Sequence, residues 1–107
     1  LVSDLYQQSN PAVWKLIKMS VDAAKNAAIP ISVCGEMAGK PCAAAAMLGL
    51  GIRDLSMMPA SMPKVKNLLC KKSLKEMQEL SNLLMTCFDS KEIEDAFFRF
   101  SGEMTPA

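Results

Sequence analysis

Histidine is absent from the 107 residues. A Cys–His nucleophilic pair therefore cannot be assembled within this chain, and a zinc site would have to rest on cysteine and carboxylate alone. The four cysteines, Cys34, Cys42, Cys70 and Cys87, include no C-x-x-C pair, which argues against both a structural zinc and a redox dithiol. A disulfide framework is not expected in a chain this apolar, so they read as free thiols in a reducing cytoplasm, mostly buried as small hydrophobes. An excess of either charge is lacking too: the formal net charge is +1, which gives no electrostatic reason to expect nucleic acid or an anionic membrane as partner. No apolar run approaches the ~20 residues of a membrane span. The longest, "CAAAAMLGLGI" over 42–52, is broken by glycine. A basic start with an apolar signal-peptide core is also missing. The first residue is leucine, so the chain is expected to be a piece of something longer.

Half of the residues are hydrophobic, which is enough for one small folded unit. Asn10 and Pro11 have the chemistry of a helix cap and first helical position. Val13, Ile17, Val21, Ala24 and Ala28 then share one face, and Asn26 and Pro30 mark the end. Residues 31–34, "ISVC", are short, β-branched and apolar, and predict a fully buried parallel strand. A helix follows from Pro41 until Gly49 and Gly51 stop it. Residues 54–57, "DLSM", form a second strand candidate. Ser61 is placed to cap a helix running to about Cys70, with Pro63 in its first turn. Ser73 and Glu76 have capping-box spacing before a helix to about Thr86, whose inner face is Leu74, Met77, Leu80 and Leu84. Asp89 and Glu92 open a last helix with Ile93, Ala96, Phe97 and Phe100 inward. The closing "SGEMTPA" is expected to fray. The order is helix, strand, helix, strand, three helices. Strand–helix–strand at this spacing is a right-handed βαβ unit. Two strands leave edges and a face uncovered, so further strands are expected upstream of Leu1. The final helices read as a natural chain terminus.

The informative joint is "ISVCGEMAGKP", residues 31–41. In α/β folds, ligand-binding and reactive groups gather at the carboxyl ends of parallel strands. Cys34 stands there, followed by Gly35. A phosphate-cradling P-loop does not fit: three residues rather than four separate Gly35 from Gly39, and Pro41 replaces the required Ser or Thr after Lys40. Two roles stay open on the residues alone, a thiol acting as an acid and a buried structural cysteine. The lysines at 64, 66, 71, 72 and 75 read as a solvated face, and the methionines as core filler.

"SVCGEMAG" (32–39), "LGLGIRDLSM" (48–57) and "MPKVK" (62–66), with "LYQQSNPAVWKLIKMSVDAA" upstream, resemble the phosphoenolpyruvate-utilising enzymes. The likeness is greatest to the phosphoenolpyruvate–protein phosphotransferases, both the sugar branch (enzyme I of the phosphotransferase system) and its nitrogen-related paralogue. It spans roughly residues 3–70. It implies an α/β fold: a C-terminal fragment of a (β/α)8 barrel, with the C-G-E-M-A-G segment ending the seventh strand and "LSM" in the eighth. Residues 1–70 would belong to the barrel and 71–107 would be C-terminal helices.

The resemblance also implies a function. The parent enzyme would move a phosphoryl group from phosphoenolpyruvate to its own histidine, release pyruvate, and pass the group to a histidine-bearing phosphocarrier protein. Cys34 would protonate the enolpyruvate left behind. A thiol's ordinary pKa of about 8.5 keeps it mostly protonated at neutral pH and able to donate. Gly35, Glu36 and Ser56 would belong to the substrate pocket, with Met57 beside them. Glu36 either hydrogen-bonds near the substrate, caps loop amides, or stands as a solvated carboxylate. The Mg2+ site, the phosphate-binding arginines and the phosphorylated histidine of the family would lie outside this chain, and Arg53 and Arg99 do not occupy such positions. The parent would be a cytoplasmic homodimer. Lys40 departs from the family's usual aspartate before the proline and offers no acceptor to the helix that follows. Two competing readings are a phosphoenolpyruvate synthase or pyruvate phosphate dikinase, and a non-catalytic dimerisation module. The A-G after C-G-E favours the carrier-protein branch over the dikinases.

Overall fold

The computed structural model describes residues 7–102. The first six residues and the tail from residue 103, on which most of the expected fraying falls, lie outside that range. Five α-helices and two strands follow one another in the expected order: α1 (Pro11–Ala27), β1 (Ser32–Cys34), α2 (Pro41–Leu50), β2 (Asp54–Ser56), α3 (Met62–Leu69), α4 (Leu74–Met85) and α5 (Ser90–Ser101). Short 3-10 turns at Gln7–Ser9, Met37–Gly39 and Pro59–Ser61 join them. β1 and β2 pair in parallel, with Ser32 opposite Asp54, Val33 opposite Leu55 and Cys34 opposite Ser56.

α2 is the central element. Ala43, Ala44, Ala45, Ala46 and Met47 are all fully buried, so this helix has no solvent face over its middle. A helix that is apolar all round can only be an interior one. Its small side chains let neighbouring helices come close. The closest approach is to α4: a Cβ placed on Gly49 would collide with the Met77 carbonyl and the Ser81 hydroxyl. The Ser81 hydroxyl, itself buried, lies 2.7 Å from the Ala46 carbonyl and 2.9 Å from the Met77 carbonyl. Gly49 is thus a packing residue inside α2, not the helix stop expected from sequence; Gly51, with φ 111, is the C-cap.

α1 starts as expected, with the Asn10 side chain accepting from the Ala12 N–H at 2.9 Å. Its anchor is Trp14, fully buried, whose indole N–H donates to the Gln8 carbonyl at 2.7 Å and whose ring meets Phe97 edge-on. Ala28, expected on the inner face, is instead exposed in the left-handed conformation (φ 56) that ends the helix. α4 and α5 open on reciprocal capping boxes, Ser73 with Glu76 and Asp89 with Glu92. The Ser73 N–H donates to Glu76 at 2.9 Å and, with Lys72 nearby, holds that carboxyl below its ordinary value. Leu74 is exposed rather than inward, because it is the first residue of α4, and the inner face begins at Met77. Ser61 does not cap α3 with its side chain. It ends the Pro59–Ser61 turn with helical backbone (φ −83, ψ −22), where an N-cap side chain needs extended backbone to reach back.

The strands are not fully buried. Val33 and Leu55 face the helical core, while Ser32, Cys34, Asp54 and Ser56 are exposed on the other side. Among the described residues, only one face of this two-strand sheet is covered. The cysteines follow the same correction: Cys87 alone is buried, Cys42 is half-buried, and Cys34 and Cys70 are exposed. Burial and the Glu92 and Asp89 carboxylates push the Cys87 thiol up, which suits a structural thiol.

The α2–α4 contact is open to a direct test. Overpacking a closed core costs about 1–3 kcal/mol, set against a gain of about 1 kcal/mol from replacing a helical glycine by alanine. The obstacle at Gly49 is a backbone carbonyl, which cannot rotate away, so the cost falls at the upper end. Gly49→Ala is expected to lower the urea midpoint, with a net loss of about 1–2 kcal/mol. An unchanged or raised midpoint would show that the two helices are free to part.

Candidate functional site

The parallel pairing sets Cys34 beside Ser56, each the last residue of its strand. Both point to the uncovered face. The chain then leaves β1 through Gly35 at φ +121, a conformation that L side chains rarely adopt. A Cβ there would meet open space, so the glycine serves the turn itself rather than a tight approach. Glu36 follows, then the Met37–Gly39 turn, whose Met37 and Ala38 are buried and tie the loop down. On the neighbouring strand Met57 and Met58 lead into the Pro59–Ser61 turn.

These two loops border an open cleft of about 1250 Å³, and Cys34, Gly35, Glu36, Ser56 and Met57 all line it. All the residues singled out from the sequence are therefore brought to one place. The far wall comes from α5, through Glu94, Phe97 and Phe98. Lys40, Lys64, Lys71 and Lys72 also border the cleft, so three of the five lysines read as a solvated face turn toward it. Their convergence joins three separate elements and has no sequence spacing to reveal it. Lys72 is engaged locally, 4.9 Å over the Phe100 ring. A smaller hollow of about 200 Å³ lies at the opposite ends of the strands, around Ile31 and Asp54, and holds none of the residues singled out.

Cys34 is exposed, and among the described residues its sulfur has no hydrogen-bond partner. No histidine exists to pair with it. The thiol is accessible and held by no other group, an arrangement suited to giving up a proton to something bound in the cleft. Glu36 is exposed and its carboxylate makes no capping hydrogen bond, so the loop-amide role weighed from the sequence is not what the structure contains. Arg53 donates to the Leu48 and Ile52 carbonyls at 2.7 and 3.1 Å, finishing the C-terminal end of α2. Among the described residues no group of three His, Cys, Asp or Glu side chains is gathered as a metal site. The carboxylates on the cleft are Glu36 and Glu94, and Glu94 accepts from the Ser9 hydroxyl. Magnesium is usually held by one or two carboxylates with water and substrate phosphate, and of the two carboxylates on this cleft one is already engaged by Ser9.

The site is a thiol at the end of a parallel strand, in a C-G-E-M-A-G loop over an open cleft. The chain belongs to the family described as PEP-utilising enzyme, PEP-binding domain, which it matches over residues 1–74. Among individual proteins it is similar to the phosphoenolpyruvate-protein phosphotransferase of Borreliella burgdorferi, 39% identical over 102 residues and 95% of this chain. It is equally similar to that of Mycoplasma pneumoniae, 39% identical over 92% of this chain, and 38% identical over 88% of the chain to that of Staphylococcus carnosus. The chain spans 18%, 17% and 16% of those relatives' lengths, less than a fifth of each. None of the helices among the described residues is long and apolar enough to cross a membrane.

Lys40 occupies the N-cap position of α2 with extended backbone (φ −96, ψ 123) and no side-chain hydrogen bond. The helix that carries the centre of the core therefore starts without a capping acceptor, and with a cation at its positive end. Lys40→Asp supplies the acceptor and is expected to raise stability by about 1 kcal/mol, read as a higher thermal midpoint. An unchanged or lowered midpoint would mean that Lys40 stabilises the cleft in some other way.

Proposed function

We propose that this chain is the part of a phosphoenolpyruvate–protein phosphotransferase that supplies the proton in pyruvate formation. The observation that carries the reading is the placement of Cys34 beside Ser56 at the carboxyl ends of two parallel strands, exposed to an open cleft, in a chain of this family. In the complete enzyme a histidine nitrogen bonds to the phosphorus of phosphoenolpyruvate as the P–O bond to C2 breaks, and the oxygen keeps the electron pair, leaving the enolate of pyruvate. The Cys34 thiol then gives its proton to C3 of that enolate, and the thiolate regains a proton from solvent. Gly35 sets the turn that leaves the thiol in front of the cleft. Ser56 borders the same space from the neighbouring strand. Glu36 borders the cleft and, among the described residues, makes no capping hydrogen bond.

In this reading the two strands are the last two of a (β/α)8 barrel, residues 71–107 are its closing helices, and the parent is a cytoplasmic homodimer that hands its phosphoryl group to a histidine-bearing carrier protein. Magnesium would neutralise charge on the phosphoryl group when bound, and residues outside this chain would hold it.

In the full-length enzyme, Cys34→Ala is expected to slow pyruvate release about 10²–10⁴-fold, the usual contribution of a general acid, while the fold persists. Turnover at the unsubstituted rate would sink the assignment. The 107 residues alone are expected to release no pyruvate from phosphoenolpyruvate with magnesium and carrier protein present. Phosphoryl transfer is chiefly positioning and charge neutralisation, and the groups for both are assigned elsewhere. Pyruvate above a protein-free control would place those groups inside this chain.

A further inference from the structure

The geometry points to Gly39 and Ser61 as a positioning pair that sets the Cys34 loop against the β2–α3 loop. The inference rests on the reading of Cys34 as the reactive thiol, but it concerns where that thiol is held. The loop from Cys34 to Lys40 has few fastenings. Its own hydrogen bonds are local, Gly39 N–H to the Glu36 carbonyl at 3.0 Å and Lys40 N–H to the Met37 carbonyl at 3.1 Å. Met37 and Ala38 are buried beneath it. What fixes its outer side is contact across to the neighbouring loop. A Cβ on Gly39 would stand 2.9 Å from the Ser61 hydroxyl oxygen, 3.0 Å from the Ser61 Cβ and 3.5 Å from the Met57 Cβ. The first distance is closer than real Cβ contacts come, the second is tighter than most of them, and the third is ordinary van der Waals contact. Gly39 and Ser61 thus meet with no space between them.

Ser61 is free for this task. Its side chain makes no capping bond to α3, and its backbone N–H is satisfied by the Met58 carbonyl at 2.9 Å. It acts as a spacer between the turn that follows Cys34 and the turn that follows Ser56. Since Cys34 and Ser56 are paired neighbours, this one contact sets the separation of the two loops that frame the cleft mouth. A side chain at Gly39 requires Ser61 or its loop to give way, and a shift of the loop is carried back along the tied Met37–Gly39 turn to Gly35 and Cys34.

The test uses the chain itself and needs no catalysis. The rate of Cys34 alkylation by iodoacetamide is followed against pH by mass spectrometry, with exposed Cys70 and buried Cys87 as internal controls. Gly39→Ala is expected to change the rate and pH profile at Cys34 severalfold while leaving those of Cys70 and Cys87 as they were. Ser61→Gly removes both close atoms, and with them the spacer, so on its own it too is expected to shift the Cys34 rate. Gly39→Ala with Ser61→Gly should restore the original Cys34 profile, as coupled neighbours do in a double-mutant cycle. Trp14 fluorescence reports whether each variant is folded. If Gly39→Ala unfolds the chain, restoration of both fold and Cys34 profile in the double variant supports the pair. A folded Gly39→Ala variant with unchanged Cys34 reactivity would overturn the inference. So would a double variant that fails to restore it. Neither result would touch the proton-donor role, which is read from turnover of the full-length enzyme.

Discussion

The structure depends on how closely α2 and α4 approach. Gly49 has no side chain where the Met77 carbonyl and the Ser81 hydroxyl come in, and Ser81 finds its partners in the Ala46 and Met77 carbonyls. A hydroxyl at such a buried crossing would be costly without acceptors; here it has two. With α4 held this close, the alanine stretch of α2 is shut off from water from Ala43 to Met47. Alanine contributes little burial energy per residue, so this helix gains its place from close packing on every side rather than from large side chains. The strands before and after α2 are then pinned by their ends, and the Cys34 loop begins where the strand stops.

That dependence explains which parts of the fold were legible. Caps and turns are local chemistry, and Asn10, Ser73 with Glu76, and Asp89 with Glu92 all do what their spacing announces. Element order and the parallel pairing of residues 32–34 with 54–56 follow from strand–helix–strand spacing. Some failures need knowledge of what lies opposite in space, and others come from the backbone at an element's end. Gly49 reads as a helix stop until the Met77 carbonyl is seen against it. Trp14 sits one position from the expected face, and its burial depends on Phe97 and the Gln8 carbonyl, distant partners in the chain or outside its helix. Ser61 has a capping residue's chemistry but not a capping backbone, because the Pro59–Ser61 turn already runs into α3.

The site divides in the same way. Cys34, Gly35, Glu36, Ser56 and Met57 were found because a strand end and a motif are sequence-local, and the parallel register then places them on one cleft. The approach of the lysines at 64 and 71 was not, since they lie in α3 and the linker after it and meet Lys40, at the start of α2, only in the folded chain. Glu36 shows the limit from the other side: its spacing allows a capping role, yet its carboxylate caps nothing.

The error over strand burial is the more instructive one for function. A short β-branched run reads as covered on both faces, but alternation survives even in three residues. Val33 and Leu55 turn to the helices, and Ser32, Cys34, Asp54 and Ser56 turn away. Had Cys34 stood one residue earlier, the pleat would have pointed its sulfur into the core beside Ile31 and Leu55 as a small hydrophobe. Strand parity therefore argues against a buried structural cysteine at position 34. The thiol lies on the uncovered face, at the carboxyl end, with a glycine turn beyond it and, among the described residues, no hydrogen-bond partner for its sulfur. In a closed barrel that face would look onto the other strands. The exposure that makes a two-strand sheet incomplete is the same property that leaves Cys34 able to reach a ligand.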